Sequence, residues 1–341
     1  MTQDPAGSLL SLPPPCLPAQ ALARLAAAHW GLEGALHPLT SERDQNHRID
    51  SAQGQFTLKL ANPAEPGPLT EFQTLALLHV ARKAPDLPTP RVIPARDGRP
   101  VISTPDGALR LLTWLAGTPL AHLPRTSALA TAIGAALGQL DATLASFHHL
   151  AADHHLLWDI RNASDLAPLA DALPDALRPR ITGFLDHFRA TTAPALARLP
   201  RQVIHGDFNP HNLLADAADP ARLTGILDFG DMTLSYRVCD LAVAASYLIE
   251  PSDPAALVLP LARAYHRANP LTESELRLLP DLITARLATT LTISAWRAAR
   301  YPDNAAYILR NAPTSRAGLD ALTNPAALAD ALLKACERPC P

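Results

Sequence analysis

Residues 202–231 read QVIHGDFNPHNLLADAADPARLTGILDFGD, and the rest of the chain is organised around them. The stretch opens on a β-branched pair, Val203-Ile204, turns through His205-Gly206-Asp207 and returns through Leu213-Leu214. A turn rich in Ala, Asp and Pro follows, then a second apolar run, Gly225-Ile226-Leu227, which stops at Asp228-Phe229-Gly230-Asp231. Short apolar runs bounded by turn formers predict strands with polar groups at their tips. Asp207, Asn212 five residues later and Asp228 at the end of the next strand then form one candidate base and two candidate metal ligands.

That set suits phosphoryl transfer. A nucleoside triphosphate needs hard oxygen ligands to hold Mg²⁺ against its phosphates, and a carboxylate to orient the attacking hydroxyl and take its proton. In protein kinases these groups come from a His-x-Asp-x-x-x-x-Asn loop followed by Asp-Phe-Gly, and this chain reproduces both, in order and at the same spacing. A lone His-Gly-Asp is more often a turn, but a turn does not account for both motifs. The same chemistry needs a strand lysine held by a helix glutamate. Lys59 in the alternating run FTLKL and Glu71 in the helical segment 69–81 have that order. Lys59 as a solvated strand lysine is the plainer alternative, and Glu65 competes with Glu71 for the pairing.

At 341 residues the chain predicts two lobes, and 48% hydrophobic residues suffice for a large core. A net charge of −3 without Lys/Arg clusters argues against nucleic-acid and anionic-membrane partners. Four scattered cysteines, Cys16, Cys239, Cys336 and Cys340, match no zinc or disulfide framework and read as reduced thiols of a cytoplasmic protein. Pro13-Pro14-Pro15 and Pro18 interrupt the N-terminal segment, which reads as neither a signal peptide nor a membrane span.

In chain order, 1–17 reads as a flexible Pro-rich leader, 18–115 as an N-terminal nucleotide-binding lobe and 116–341 as a C-terminal catalytic and substrate-binding lobe. Within the first lobe, 19–30 is helical, hairpin strands run between 37 and 60, and Leu75, Leu78 and Ala81 set the apolar spacing of the helix over 69–81. The run ALRLLTWL ends in Gly117 and Pro119, the form of a hinge whose backbone at Thr113, Trp114 and Leu115 could meet a purine. Residues 126–149 are helical, with Ile133, Leu137, Leu140 and Leu144 in a stripe and with Asp141 and His148 as buried polar groups. The pairs His148-His149 and His154-His155 lack a closing ligand for zinc. After Asp231 the chain is helical over 240–250, 255–268 and 276–300, with Thr272 and Glu275 as a capping box.

On these residues the chain resembles the aminoglycoside phosphotransferase and choline kinase family from Glu42 to about Leu322. Within it the chain looks most like the hydroxylysine kinase subgroup and the kinase domains fused to class III aminotransferases. Arg43-Asp44-Gln45-Asn46, Leu157-Trp158-Asp159-Ile160, Asp228-Phe229-Gly230-Asp231-Met232, Ala298-Ala299-Arg300 and Pro302-Asp303-Asn304 carry that likeness. The resemblance implies an α+β, two-lobed protein-kinase-like fold, with a small antiparallel-sheet lobe and a larger, mainly helical one. It implies ATP or GTP and Mg²⁺ between the lobes, Asp207 as base, Asn212 and Asp228 as metal ligands, and Lys59 with Glu71 at the phosphates.

The loop 40–47 departs from the protein-kinase pattern because it has no glycine, so Ser41, Gln45 and Asn46 become the candidate phosphate donors. A small hydroxyl acceptor carrying an amine would meet carboxylates and aromatic faces, for which Trp158, Asp159, Asp231 and Trp296 are candidates. A 5-hydroxylysine-like acceptor leads, with homoserine, choline-like alcohols and aminoglycosides as alternatives. A non-catalytic nucleotide-binding protein is the reading of another class. The joint presence of Lys59, Asp207, Asn212 and Asp228 argues against it, and a hydrolase reading leaves Asn212 and Asp228 idle.

Overall fold

The computed structural model describes residues 14–41 and 43–337. The first 13 residues of the leader, Glu42 and Cys340 lie outside the described residues. Two compact units divide the chain. The first runs to Ala116 and takes in His149–Ala152, and the second holds Gly117–His148 and everything from Asp153.

The first unit is an antiparallel sheet with a helix on each face. Helix α1 (Ala19–Trp30) precedes β1 (Gly34–Leu39), β2 (Gln45–Ser51) and β3 (Gly54–Leu60). Helix α2 (Gly67–Lys83) follows, then β4 (Val92–Ile93), β5 (Ile102–Thr104) and β6 (Gly107–Thr113). The strand order is β1-β2-β3-β6-β4, with β5 added to β6. Alternation along β3 sends Leu58 and Leu60 to one face, where they pack with Ile49, Leu109, Leu111 and the α1 residues Leu22 and Ala26. The other face carries Lys59, and its cross-strand partners are Asn46 on β2 and Arg110 on β6. Helix α1 stops at Gly31, whose left-handed φ of +68° lets the Gly31 and Leu32 amides return to the carbonyls of Ala27 and Ala26.

Helix α2 corrects one expectation. Its buried face is Phe72, Gln73, Ala76, Leu77 and Val80, whereas Leu75 and Leu78 remain 36% and 38% exposed. The apolar spacing that aligned Glu71 with Leu75 and Leu78 therefore traced the outer face.

The second unit opens with β7 (Thr118–Pro119) and α3 (Ser127–Leu144), which is capped by Thr126 Oγ1 accepting from the Leu129 amide at 3.1 Å. A 3₁₀ segment, Ile160–Ala172, leads to α4 (Arg178–His187) and α5 (Ala193–Leu196). Next come β8 (Gln202–Ile204), β9 (Leu213–Ala215), β10 (Leu223–Ile226) and β11 (Thr233–Ser235). Helices α6 (Arg237–Ser246), α7 (Ala255–Ala268), α8 (Glu273–Arg300), α9 (Ala305–Ile308), α10 (Ala312–Ala321) and α11 (Pro325–Glu337) complete the unit.

The runs read from residues 202–231 are strands, but they do not form one ribbon. β9 and β10 pair as a hairpin that β7 extends, while β8 pairs with β11. The helix placed at 240–250 begins at Arg237 and ends at Ser246. His148, expected to be buried, is exposed, because α3 has already ended at Leu144. Helices α3 and α7 cross closely over Gly134, where a Cβ would stand 2.1 Å from the Leu261 carbonyl oxygen. The Thr272–Glu275 capping box is formed. Arg237 grips the same glutamate, with Nε to Oε1 at 2.7 Å and Nη2 to Oε2 at 2.8 Å, and so ties the start of α6 to the start of α8.

Candidate active site

The loop leaving β8 is held from beneath. Asp240, in the first turn of α6, accepts the amides of His205 at 2.7 Å and Gly206 at 3.0 Å. Gly206 has φ +82°, and a Cβ there would lie 2.5 Å from the Asp231 carbonyl oxygen, so the position requires glycine. His205 Nδ1 accepts from the Asp207 amide at 3.2 Å, which leaves Nε2–H to donate to the Leu227 carbonyl at 2.9 Å. Its ring stands edge-on to Phe208 and Phe229, with centroids 5.5 and 4.9 Å away. The histidine thus links the two strand tips and does not point into solvent.

Asp207 emerges from this loop with both carboxylate oxygens engaged. Oδ2 accepts from Asn209 Nδ2 and Asn212 Nδ2, each at 2.8 Å, and Oδ1 accepts from Arg286 Nη2 at 2.7 Å. With Oδ2 taking two donors and Oδ1 one, Oδ1 retains a lone pair for a substrate hydroxyl, and the side chain is still 21% exposed. Burial raises its pKa above the ordinary carboxylate value. The Arg286 guanidinium pulls it down, and the charges of Asp231 and Asp228 push it up again. Asn212 directs its amide nitrogen to Asp207 Oδ2 and to the Asp207 carbonyl, at 2.8 and 3.0 Å, which turns its oxygen outward.

Asp228 is brought beside Asn212 by the hairpin, since the Leu227 amide donates to the Asn212 carbonyl at 2.7 Å. It has φ +56°, the one positive φ outside glycine among the described residues, and it is exposed. Its Oδ1 accepts from the Gly230 amide at 3.2 Å, a side-chain turn that helps a non-glycine residue sustain this backbone. An amide oxygen and a carboxylate on adjacent strand tips are the hard donors a divalent cation takes, so these residues fit such an ion.

Beneath Asp240 lies a second buried carboxylate. Asp141 of α3 accepts from the Tyr265 hydroxyl at 2.6 Å through Oδ2, while its Oδ1 meets no donor among the described residues. Burial and the neighbouring Asp240 charge raise the Asp141 pKa well above normal, and burial raises that of Asp240 as well. A proton on Asp141 makes it the donor to Asp240.

In the first unit Lys59 is not a solvated strand lysine. Its Nζ lies 2.9 Å from Asp44 Oδ2, with only 14% and 11% of the two side chains exposed. Glu71, expected as its partner, projects from the exposed face of α2, and Glu65 accepts from the Thr70 hydroxyl. The α2 residues that reach the sheet are neutral, with Gln73 Oε1 and Thr74 Oγ1 receiving Arg110 at 3.0 and 3.3 Å. Of the candidate phosphate donors, Gln45 is withdrawn because its side-chain amide pairs with both main-chain groups of Leu17 at 2.8 Å. Ser41 Oγ accepts from the Asp44 amide at 3.2 Å, and Asn46 lies on the Lys59 face of the sheet. At the end of β6, the Thr113 amide is taken by the Arg91 carbonyl and the Trp114 amide by that of Gln55. Of the three amides at 113–115, only that of Leu115 carries no hydrogen bond among the described residues.

The four acceptor candidates divide. Trp158 lies beside Arg286, whose guanidinium sits 5.3 Å from the ring centroid, and Asp231 is close enough for its charge to act on Asp207 and Arg286. Asp159 is a structural group instead, buried in an ion pair with Arg161 at 2.7 Å and accepting from Ser235 Oγ at 2.9 Å. Trp296 stacks with Arg300. It stands ten residues beyond Arg286 on α8, about 15 Å of helix rise. The residue that sequence reading missed is Arg286. A lone charged residue inside an otherwise uncharged run of α8, at 282–294, is its one signal.

Residues 36–279 match the model of the phosphotransferase enzyme family. Hydroxylysine kinase of Mus musculus is 28% identical over 309 residues, covering 82% of each chain. Among solved structures, the amicoumacin kinase hAmiN superposes with a TM-score of 0.69 at 13% identity, covering 91% of this chain and 95% of that one. A microcompartment-associated aminopropanol kinase gives a TM-score of 0.66 at 19% identity, covering 94% and 99%. At those identities the likeness is one of fold.

Proposed function

The chain belongs to the phosphotransferase enzyme family, small-molecule kinases that act on hydroxyl groups, and from that premise we propose the following reaction. The chain transfers the γ-phosphoryl group of ATP or GTP to the hydroxyl of a small amino-alcohol or hydroxy-amino acid, with a 5-hydroxylysine-like acceptor favoured. The observation that carries this reading is the fixed Asp207 carboxylate, with Asn212 and Asp228 on the adjoining strand tips. Asp207 orients the acceptor hydroxyl and receives its proton, and Arg286 opposes the upward pull of burial on the carboxylate pKa. Asn212 through Oδ1 and Asp228 through its carboxylate would hold the divalent cation, Mg²⁺ in this reading. When bound, the cation neutralises charge on the phosphate oxygens. Within the first unit, Lys59 and Asn46 are the groups that contact phosphate in this reading, and the Leu115 amide is the one that meets the purine.

For the acceptor, the likeness to hydroxylysine kinase supports a hydroxy-amino acid, and Trp158 with Asp231 offers an aromatic face and a carboxylate to an ammonium group. Unpaired Cys16, Cys239 and Cys336 support a reducing, cytoplasmic setting. No helix among the described residues is long and apolar enough to cross a membrane.

Mg²⁺ with ATP or GTP should raise the melting temperature, since a ligand at about 100 times its Kd adds about 2.7 kcal/mol to stability. A panel of 5-hydroxylysine, homoserine, choline and an aminoglycoside, scored by release of nucleoside diphosphate, should then show the highest kcat/KM for 5-hydroxylysine. Binding of neither nucleotide refutes the reaction, whereas turnover of another acceptor corrects only the substrate.

A further inference from the structure

The ion pair at Lys59 has a partner of unusual origin. Asp44 belongs to the glycine-free loop between β1 and β2, not to the helix behind the sheet. That loop is stapled to the end of β3 and the residues after it. Asp44 Oδ1 accepts from the Asn62 amide at 3.2 Å, Asn62 Nδ2 donates to the Arg43 carbonyl at 3.2 Å, and the Asp44 amide donates to Ser41 Oγ at 3.2 Å. Burial pushes the Asp44 pKa up, but the Lys59 ammonium, helped by Arg43 and Arg110, holds it below the ordinary carboxylate value. The carboxylate is charged and directed at the lysine.

We infer that Asp44 is the positioning residue for Lys59, doing from the loop what a helix glutamate does in protein kinases. This rests on the reading of Lys59 as a phosphate contact. Three observations converge on it. Lys59 and Asp44 are both nearly enclosed and in contact, Glu71 faces solvent, and the inner face of α2 offers Arg110 neutral oxygens in place of a carboxylate. Without glycines, the loop cannot wrap the phosphates by backbone freedom alone. Its side-chain bonds set the shape, and one of those side chains fixes the angle of the lysine. Loop and lysine then form a single nucleotide-binding element, so an order of assembly in which α2 must swing inward to complete an ion pair is not required here.

Nucleotide binding, read by calorimetry with MgATP and no acceptor present, tests this independently of what the acceptor is. Asp44→Asn should weaken MgATP about tenfold or more, a coupling within the range of contacting charged residues, and Glu71→Ala should leave it within about twofold. In a Lys59→Met background, Asp44→Asn should add nothing further, because Asp44 acts through the lysine. KM for nucleotide should rise while KM for acceptor holds, a split that general loosening of the fold would not produce. Should Asp44→Asn fail to fold, Asp44→Glu carries the same test, with nucleotide binding weakened in the Lys59 chain and unchanged in the Lys59→Met chain. Additive losses, or a Glu71→Ala defect equal to that of Asp44→Asn, overturn the inference. A wild-type chain that binds no nucleotide overturns instead the reading on which it rests.

Discussion

Asp207→Asn is expected to lower kcat by about 10²- to 10⁴-fold, the span of a lost general base. The substitution keeps the shape of the side chain and leaves an oxygen for Arg286 or Asn212, so the loop should persist. What disappears is the site that takes the proton from the attacking hydroxyl. Nothing at the nucleotide contacts in the first unit changes, so stabilisation by MgATP should stay close to wild type. The two measurements together separate a chemical defect from a folding one. Wild-type turnover by this variant would falsify the assignment of the base.

The second large effect belongs to Arg286→Met. The arginine is only 4% exposed, bonds Asp207 Oδ1 at 2.7 Å and covers the face of Trp158. Breaking a buried ion pair from one side costs about 3–5 kcal/mol, because the remaining charge loses its compensation. The chemical consequence has a definite sign. Burial already raises the Asp207 pKa, and Arg286 opposes that rise. Removing the guanidinium lets the pKa climb further, so a larger fraction of the base is protonated at a given pH. The acid limb of the kcat profile should move to higher pH, with a deeper loss at pH 6 than at pH 8. Lysine should restore part of the profile but not the stacking on Trp158, for which a planar guanidinium is needed. A pH profile for Arg286→Met that overlays wild type would remove the arginine from the chemistry of the base.

Legibility in the sequence followed distance along the chain. Asp207, Asn212 and Asp228 are local to one stretch, and strand tips and turn residues define them without knowledge of packing. The capping box at Thr272 and the helices over 19–30 and 255–268 were readable for the same reason. Arg286 lies 79 residues from the carboxylate it grips, and only the packing of α8 brings them together. Glu71 shows how a correct element can yield a wrong contact. The helix was right, but its outer residues Leu75 and Leu78 are apolar enough to pass for the inner face, while Gln73 and Thr74, which do face the sheet, are polar. Asp44 stood within the quoted Arg-Asp-Gln-Asn, yet its side chain closes on Lys59 only once the β2–β3 register is fixed.

The carboxylates stacked under the catalytic loop also change the proton count of folding. An unfolded aspartate releases its proton near pH 4, about its model-peptide value, whereas Asp141 keeps its proton well above that in the folded chain. Between those two values the native state binds more protons than the unfolded state, so this pair stabilises the fold most at low pH. Its contribution falls as pH rises, by about 1.4 kcal/mol per pH unit for each extra proton. Asp141→Asn supplies a neutral donor that does not titrate, and its melting temperature should gain on wild type as pH rises above the ordinary carboxylate range. The same contacts that hold His205 and Gly206 in place thus set an alkaline, rather than an acid, limit on how firmly they are held.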